Sequence, residues 1–134
     1  MSLIFAFILQ YASLYGLDPN LVSAVVQHES AYNAKAVGTH GEIGLMQLKP
    51  DSFPKYTRKQ LFDPETNIRV GTEYLAKMRD ECVHRNYWLV CYNTAPEGAK
   101  KIKHPEKFKY YRIIRNLMEK STMAMNSCTQ DSVY

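Results

Sequence analysis

Two aspartate–proline pairs, Asp18–Pro19 and Asp63–Pro64, constrain this chain more than any other feature. An aspartate oxygen can accept from the free N–H groups of a first helical turn, and a proline at the first helical position needs no donor there. Each pair therefore starts a helix. After the first, Leu21, Val22, Val25 and Val26 form an apolar stripe; after the second, Ile68, Gly71, Leu75, Met78 and Cys82 recur at three and four. Ser2 offers a third cap, for a helix over 2–15 that closes at Gly16 with Leu17 as the apolar contact beyond it. The remaining pattern predicts a helix over 19–31, a short piece over 51–56 cut by Pro54, and a basic loop through Arg58 and Lys59. Beyond Asp63 it predicts the long helix, a helix over 87–93 capped by Asn86, and a last helix over 105–120 with Phe108, Tyr111, Ile114 and Met118 facing inward. Gly71 costs about 1 kcal/mol inside a helix relative to Ala, which points to a close helix crossing there. No strand pair, repeat or low-complexity segment shows. The expectation is an all-α fold, a compact bundle of about six short helices over 1–120, followed by a polar, mobile tail over 121–134.

A chain of 134 residues can bury a core without metals or disulfides. Three cysteines, Cys82, Cys91 and Cys128, make an odd count with neither CxxC nor Cys/His spacing, so no zinc site or disulfide framework is signalled. Cys82 and Cys91 fall on helical apolar positions and are read as buried small hydrophobes rather than as a bridge. The apolar run Leu3 to Leu9 is too short to span a bilayer and has no positive residue before it, which favours a folded first helix over a cleaved leader. A net charge of +4 biases the chain mildly toward anionic partners. The basic residues lack the interleaved aromatic platform of a nucleic-acid binder, so that class is set aside. Gly38, Gly41 and Gly44 mark a looped backbone, but neither GxGxxG nor GK[ST] is present, which excludes a phosphate loop.

Within this frame one residue is out of place. Glu29 lies four residues after Val25 and eight after Leu21, where the apolar stripe calls for a core residue. Burial disfavours its charged form, and the negative end of the helix dipole acts in the same direction, so its pKa should rise. A carboxyl that keeps its proton near neutral pH can act as general acid toward a glycosidic oxygen. His28 turns about 100° away on the same helix and is read as a packing or surface residue. Gln47 and Asn93 each offer a donor and an acceptor suited to sugar hydroxyls and acetamido groups, and the Tyr92 hydroxyl can steady a carboxyl.

Four separated segments, HESAYN with Glu29 and Ser30, EIGLMQLKP from Glu42 to Pro50, DPETNIRVGTEYL from Asp63 to Leu75, and CYNTAPEG from Cys91 to Gly98, resemble the motifs of the soluble lytic transglycosylase domain of the lysozyme-like superfamily, related to goose-type lysozymes. The resemblance implies a lysozyme-like fold with a glycan-binding groove and a peptidoglycan substrate. It makes Glu29 the catalytic acid/base and gives Ser30, Met46, Gln47, Tyr92 and Asn93 substrate-binding roles, the Tyr against the catalytic Glu and the Asn on the sugar. Asn67, Gly71 and Tyr74 match the family's packing signature. Cys91 stands where Ala is usual and Gly38 where Ser is common. No metal or cofactor is implied.

A hydrolase acting on a glycan ordinarily needs a second carboxylate. Goose-type lysozymes, by resemblance, place an Asp shortly after GLMQ, where this chain has Leu48, Lys49 and Pro50, with Asp51 two places late. The reading is therefore a peptidoglycan lytic transglycosylase that cleaves the MurNAc–GlcNAc β-1,4 bond with Glu29 alone and leaves 1,6-anhydro-MurNAc ends. The alternatives are a muramidase with Asp51 or Glu42 as helper, and a wall-binding or structural module without activity. His40 and Glu42 are expected to be solvated loop residues. The expected partner is the glycan strand, without stable membrane insertion, for a monomer acting at the cell wall or periplasm. The family's occurrence implies delivery by a phage virion or by lysis or secretion machinery.

Overall fold

The computed structural model describes residues 2–131, with side chains described through 121. Ser2 accepts from the Phe5 N–H and opens α1 (Leu3–Leu14). Gly16, at φ 69°, turns the chain in the left-handed region so that the Leu17 N–H reaches the Ala12 carbonyl, and Leu17 is buried. Asp18 accepts from the Asn20 N–H and opens α2 (Pro19–Ser30). A 3-10 turn at Pro50–Ser52 stands where the short helical piece was expected. The basic segment after it is not a loop but α3 (Arg58–Phe62). Thr57 accepts from the Gln60 N–H, and the Gln60 side chain accepts from the Thr57 N–H. This reciprocal cap stabilises a helix too short to show apolar periodicity.

Asp63 accepts from the Thr66 N–H and opens α4 (Pro64–Glu81). Asn86 is exposed within a 3-10 turn at Arg85–Tyr87 and caps nothing; α5 (Leu89–Ala99) begins without a side-chain cap. Inside α5, Ala95 leaves helical geometry at φ 64°, ψ 160°; Pro96 after it disfavours the helical region and accounts for the extended ψ, though not for the positive φ. A 3-10 turn at Pro105–Lys107 precedes α6 (Lys109–Asp131), whose backbone continues past Lys120, the expected end. The side chains of the expected polar tail beyond 121, Cys128 included, lie outside the described residues.

The expectation for two cysteines is corrected. Cys82 and Cys91 are joined in a disulfide, with Cα atoms 5.9 Å apart, although both are buried. Cys82 ends α4, the chain reverses through 83–88, and the first turn of α5 brings Cys91 back beside it. Helical spacing within either segment carries no sign of that reversal.

Helix α4 packs on α1 and α5, and α2 packs on α1 and α6, around Ile8, Val22, Val25, Ile68, Leu75 and Ile114. The glycine-marked loop over 36–48 is part of this core, with Ile43, Leu45 and Met46 each 0% exposed. Two isolated antiparallel bridges, Val37 with Ile43 and Ile43 with Leu48, fold it on itself. Asn67, also 0% exposed, holds it from α4: its Nδ2 donates to the carbonyls of Ile43 (2.9 Å) and Leu61 (2.8 Å), and its Oδ1 accepts from the Met46 N–H (2.8 Å). Gly71 makes the close approach expected of it, but to the loop rather than to a helix: a Cβ there would lie 2.5 Å from the Met46 sulfur. Among the described residues no helix is long and apolar enough to cross a membrane.

Candidate active site

Glu29 ends α2, and the chain turns sharply behind it. Ala31 (φ 50°) and Tyr32 (φ 62°) are both left-handed without being glycine, a conformation that costs of order 1 kcal/mol or more each. The turn is held by the Tyr32 hydroxyl, 2.7 Å from the Ser23 hydroxyl. It is also held by Ser30, whose hydroxyl lies 2.8 Å from the Leu45 carbonyl and 3.1 Å from that of Val26. Among the described residues the other two non-glycine residues with positive φ are Gln47 (51°) and Ala95 (64°). Both line a cleft of about 330 Å³ that contains Glu29. Backbone strain thus gathers around this carboxyl, as at sites whose geometry the surrounding fold must impose.

Glu29 forms the cleft wall on the α2 side. The loop contributes His40, Glu42 and Gln47, with Lys49 following it; α4 contributes Tyr74, and α5 contributes Tyr92 and Asn93. Burial is the main cause that raises the Glu29 pKa above its ordinary 4.5, and the like charge of Glu42 adds to it. The Tyr110 hydroxyl works in the opposite direction by hydrogen bonding to the charged carboxylate. That hydroxyl is buried without a hydrogen bond of regular geometry, so the carboxyl is the acceptor toward which it can turn. Burial first, then the neighbouring Tyr92 and Glu29, raise the Tyr110 pKa, so its hydroxyl keeps its proton and can donate to the Glu29 carboxylate.

The sequence-derived residues divide by place. Glu29, Gln47, Tyr92 and Asn93 meet in the cleft. Ser30 and Met46 do not line it: Ser30 ties α2 to the loop, and Met46 is 0% exposed against Gly71. The Tyr92 hydroxyl donates to the Met46 carbonyl at 3.2 Å, joining α5 to the loop, while Glu29 raises the Tyr92 pKa through space, behind the larger effect of burial. Gln47 donates from its amide to the carbonyls of Gly44 (3.0 Å) and Ala36 (3.3 Å), which fixes the side chain at the cleft wall. Tyr74, expected to be structural, reaches the cleft as well, its ring centroid 5.6 Å from that of Tyr92.

Three further residues stand near the acid, of which the sequence offers only Glu42 a role, as helper in the muramidase alternative. His40 and Glu42, expected to be solvated loop residues, both line the cleft. Tyr110 is 5% exposed beneath it, and its ring packs edge-on to His28 at 5.3 Å. Its four-residue spacing to Ile114 was the available signal, but the adjacent Tyr111 fits helical spacing nearly as well. Among the described residues no group of three or more His, Cys, Asp or Glu side chains is arranged to hold a metal ion.

The family model for the transglycosylase SLT domain matches residues 6–114, a span that contains the cleft and the helices that build it. The chain belongs to that family. This SLT domain is 30% identical over 125 residues to membrane-bound lytic murein transglycosylase C of Yersinia pestis (strain Pestoides F), with 79% of this chain and 35% of the relative covered. The protein of the same name from Yersinia pseudotuberculosis serotype O:1b (strain IP 31758) matches equally. The chain thus spans about a third of the length of the curated relatives it matches. Its fold superimposes with a TM-score of 0.69 on the X-ray structure of an inactive mutant of lytic transglycosylase Slt from Pseudomonas aeruginosa, at 22% identity, covering 84% of this chain and 22% of that one. The all-α, lysozyme-like SLT fold is therefore the fold of this chain.

Proposed function

We propose that this SLT domain is a peptidoglycan lytic transglycosylase in which Glu29 serves in turn as acid and base. The observation that carries the reading is the half-buried Glu29 carboxyl, its pKa raised by burial, opening onto a cleft lined by amide and hydroxyl groups. Glu29 donates its proton to the oxygen bridging MurNAc and GlcNAc, and the bond from C1 to that oxygen breaks. The sugar's own acetamido group stabilises the positive centre left at C1. Glu29, now a carboxylate in poorly hydrated surroundings, takes the proton of the C6 hydroxyl as the C6 oxygen bonds to C1. The result is a 1,6-anhydro end with no water consumed. One group can serve both steps because a raised pKa brings acid and base forms close in energy near the working pH.

The other residues divide the supporting work. Asn93, exposed at the rim, and the fixed amide of Gln47 hold sugar polar groups, while Ser30, Met46 and Tyr92 act indirectly by fixing the loop against α2 and α5. The relatives named as murein transglycosylases support the same substrate class. In this reading the domain acts at the cell wall and is delivered there with a virion or by lysis or secretion machinery. The Cys82–Cys91 bridge suits that oxidising side of the membrane. Glu29→Gln should keep the fold and lose about 10²–10⁴-fold in release of muropeptides from purified peptidoglycan, the range for one general acid/base. Wild-type rates in that variant would remove Glu29 from the role.

A further inference from the structure

The single-carboxylate reading leaves one acidic residue of the cleft without a task. Glu42 faces the same cavity as Glu29, and its side chain is 19% exposed. Its Oε1 is buried with no hydrogen-bond partner among the described residues; Nδ1 of His40 stands 3.8 Å off, beyond hydrogen-bond distance, on a side chain that is 81% exposed. An unpartnered buried carboxylate oxygen is costly, so it calls for a donor that arrives later. The carboxylate also fills a slot that exists only because residue 38 is glycine. A Cβ at Gly38 would collide with Glu42 Oε2 and lie 2.6 Å from Gln47 Oε1. Asp51, the other candidate helper, is exposed on the Pro50–Ser52 turn and does not line the cleft.

We infer that Glu42 is a second catalytic carboxylate, a base that accepts a proton from water entering the cleft and so diverts part of the turnover to hydrolysis. The inference rests on Glu29 being the acid. Glu29 protonates the bridging oxygen and the C1–O bond breaks with its electron pair going to that oxygen. The water oxygen then bonds C1 while its proton passes to the Glu42 carboxylate; Glu42 releases that proton to solvent and Glu29 takes one up, which restores both groups. One water is consumed and an ordinary reducing MurNAc end is left. The chain would thus release two kinds of end, anhydro where the C6 hydroxyl traps C1 and reducing where water does.

Mass spectrometry of muropeptides released from purified sacculi by the full chain reads the ratio directly, since an anhydro end is one water lighter. Wild type should release both ends. Glu42→Gln should lower the reducing-to-anhydro ratio by about 10²-fold or more, the least a general base contributes, whatever the total rate. Glu42→Asp should recover part of it. Gly38→Ala, which displaces the carboxylate without altering it, should lower the ratio as well and decides the matter if Glu42→Gln does not fold. Only anhydro ends from wild type, or an unchanged ratio in Glu42→Gln or Gly38→Ala, would overturn the inference. Retained cleavage by Glu29→Gln would instead overturn the reading on which it rests.

Discussion

Asn67 is the place where a single substitution should separate the scaffold from the acid. It lies on α4, does not line the cleft, and hydrogen-bonds three backbone groups at once: the carbonyls of Ile43 and Leu61 and the N–H of Met46. Asn67→Ala leaves the Leu61 carbonyl and the Met46 N–H buried without a partner, while the Ile43 carbonyl keeps the Leu48 N–H. At about 1–2 kcal/mol each, toward the lower end of the cost of an orphaned buried group, the loss is about 2–4 kcal/mol. That is a large part of the 5–15 kcal/mol typical of a domain. Urea denaturation followed by circular dichroism measures it as a lower midpoint at unchanged slope. The loop that Asn67 clamps carries Gln47 and Glu42 into the cleft, so muropeptide release should fall even at temperatures where the variant stays folded. A loss of stability under about 1 kcal/mol would refute the reasoning, because two unpaired buried groups cannot cost so little unless the loop is held elsewhere.

The Cys82–Cys91 bridge closes a loop with a sequence separation of 9, worth about 2.6 kcal/mol in chain entropy. Calorimetry of the Cys82→Ala/Cys91→Ala double variant should therefore show Tm lower by roughly 8–10 °C. Tyr110→Phe removes the hydroxyl that lowers the Glu29 pKa, so the basic limb of the pH–rate profile should move to higher pH; a downward or absent shift would count against that contact. Because folding raises the Glu29 pKa above 4.5, the native state keeps a proton that the unfolded chain loses as pH climbs past that value. Its contribution to stability should fall through that window and stay low above the raised pKa. Glu29→Gln lacks this penalty, so denaturation at pH 4 and pH 8 should show the variant gaining on wild type at the higher pH.

The helix starts were legible because Ser2, Asp18 and Asp63 act on backbone groups two or three residues away, and such chemistry is complete within one turn. Glu29 was legible because its four-residue spacing from Val25 put a carboxyl on an apolar stripe, and burial is what the structure finds to raise its pKa. Thr57 and Gln60 form a cap of the same local kind, overlooked because α3 spans only Arg58–Phe62.

What the sequence determined alone is the part governed by near neighbours: an all-α chain with the caps at Ser2, Asp18 and Asp63, and one acid set against apolar residues. Only the tertiary structure decided what the acid faces. Tyr110 comes to Glu29 from α6 and Glu42 from the loop, Cys82 finds Cys91 across a chain reversal, and Met46 sinks onto Gly71. Each of these meetings depends on how helices and loop cross, and no residue's immediate neighbours fix that angle.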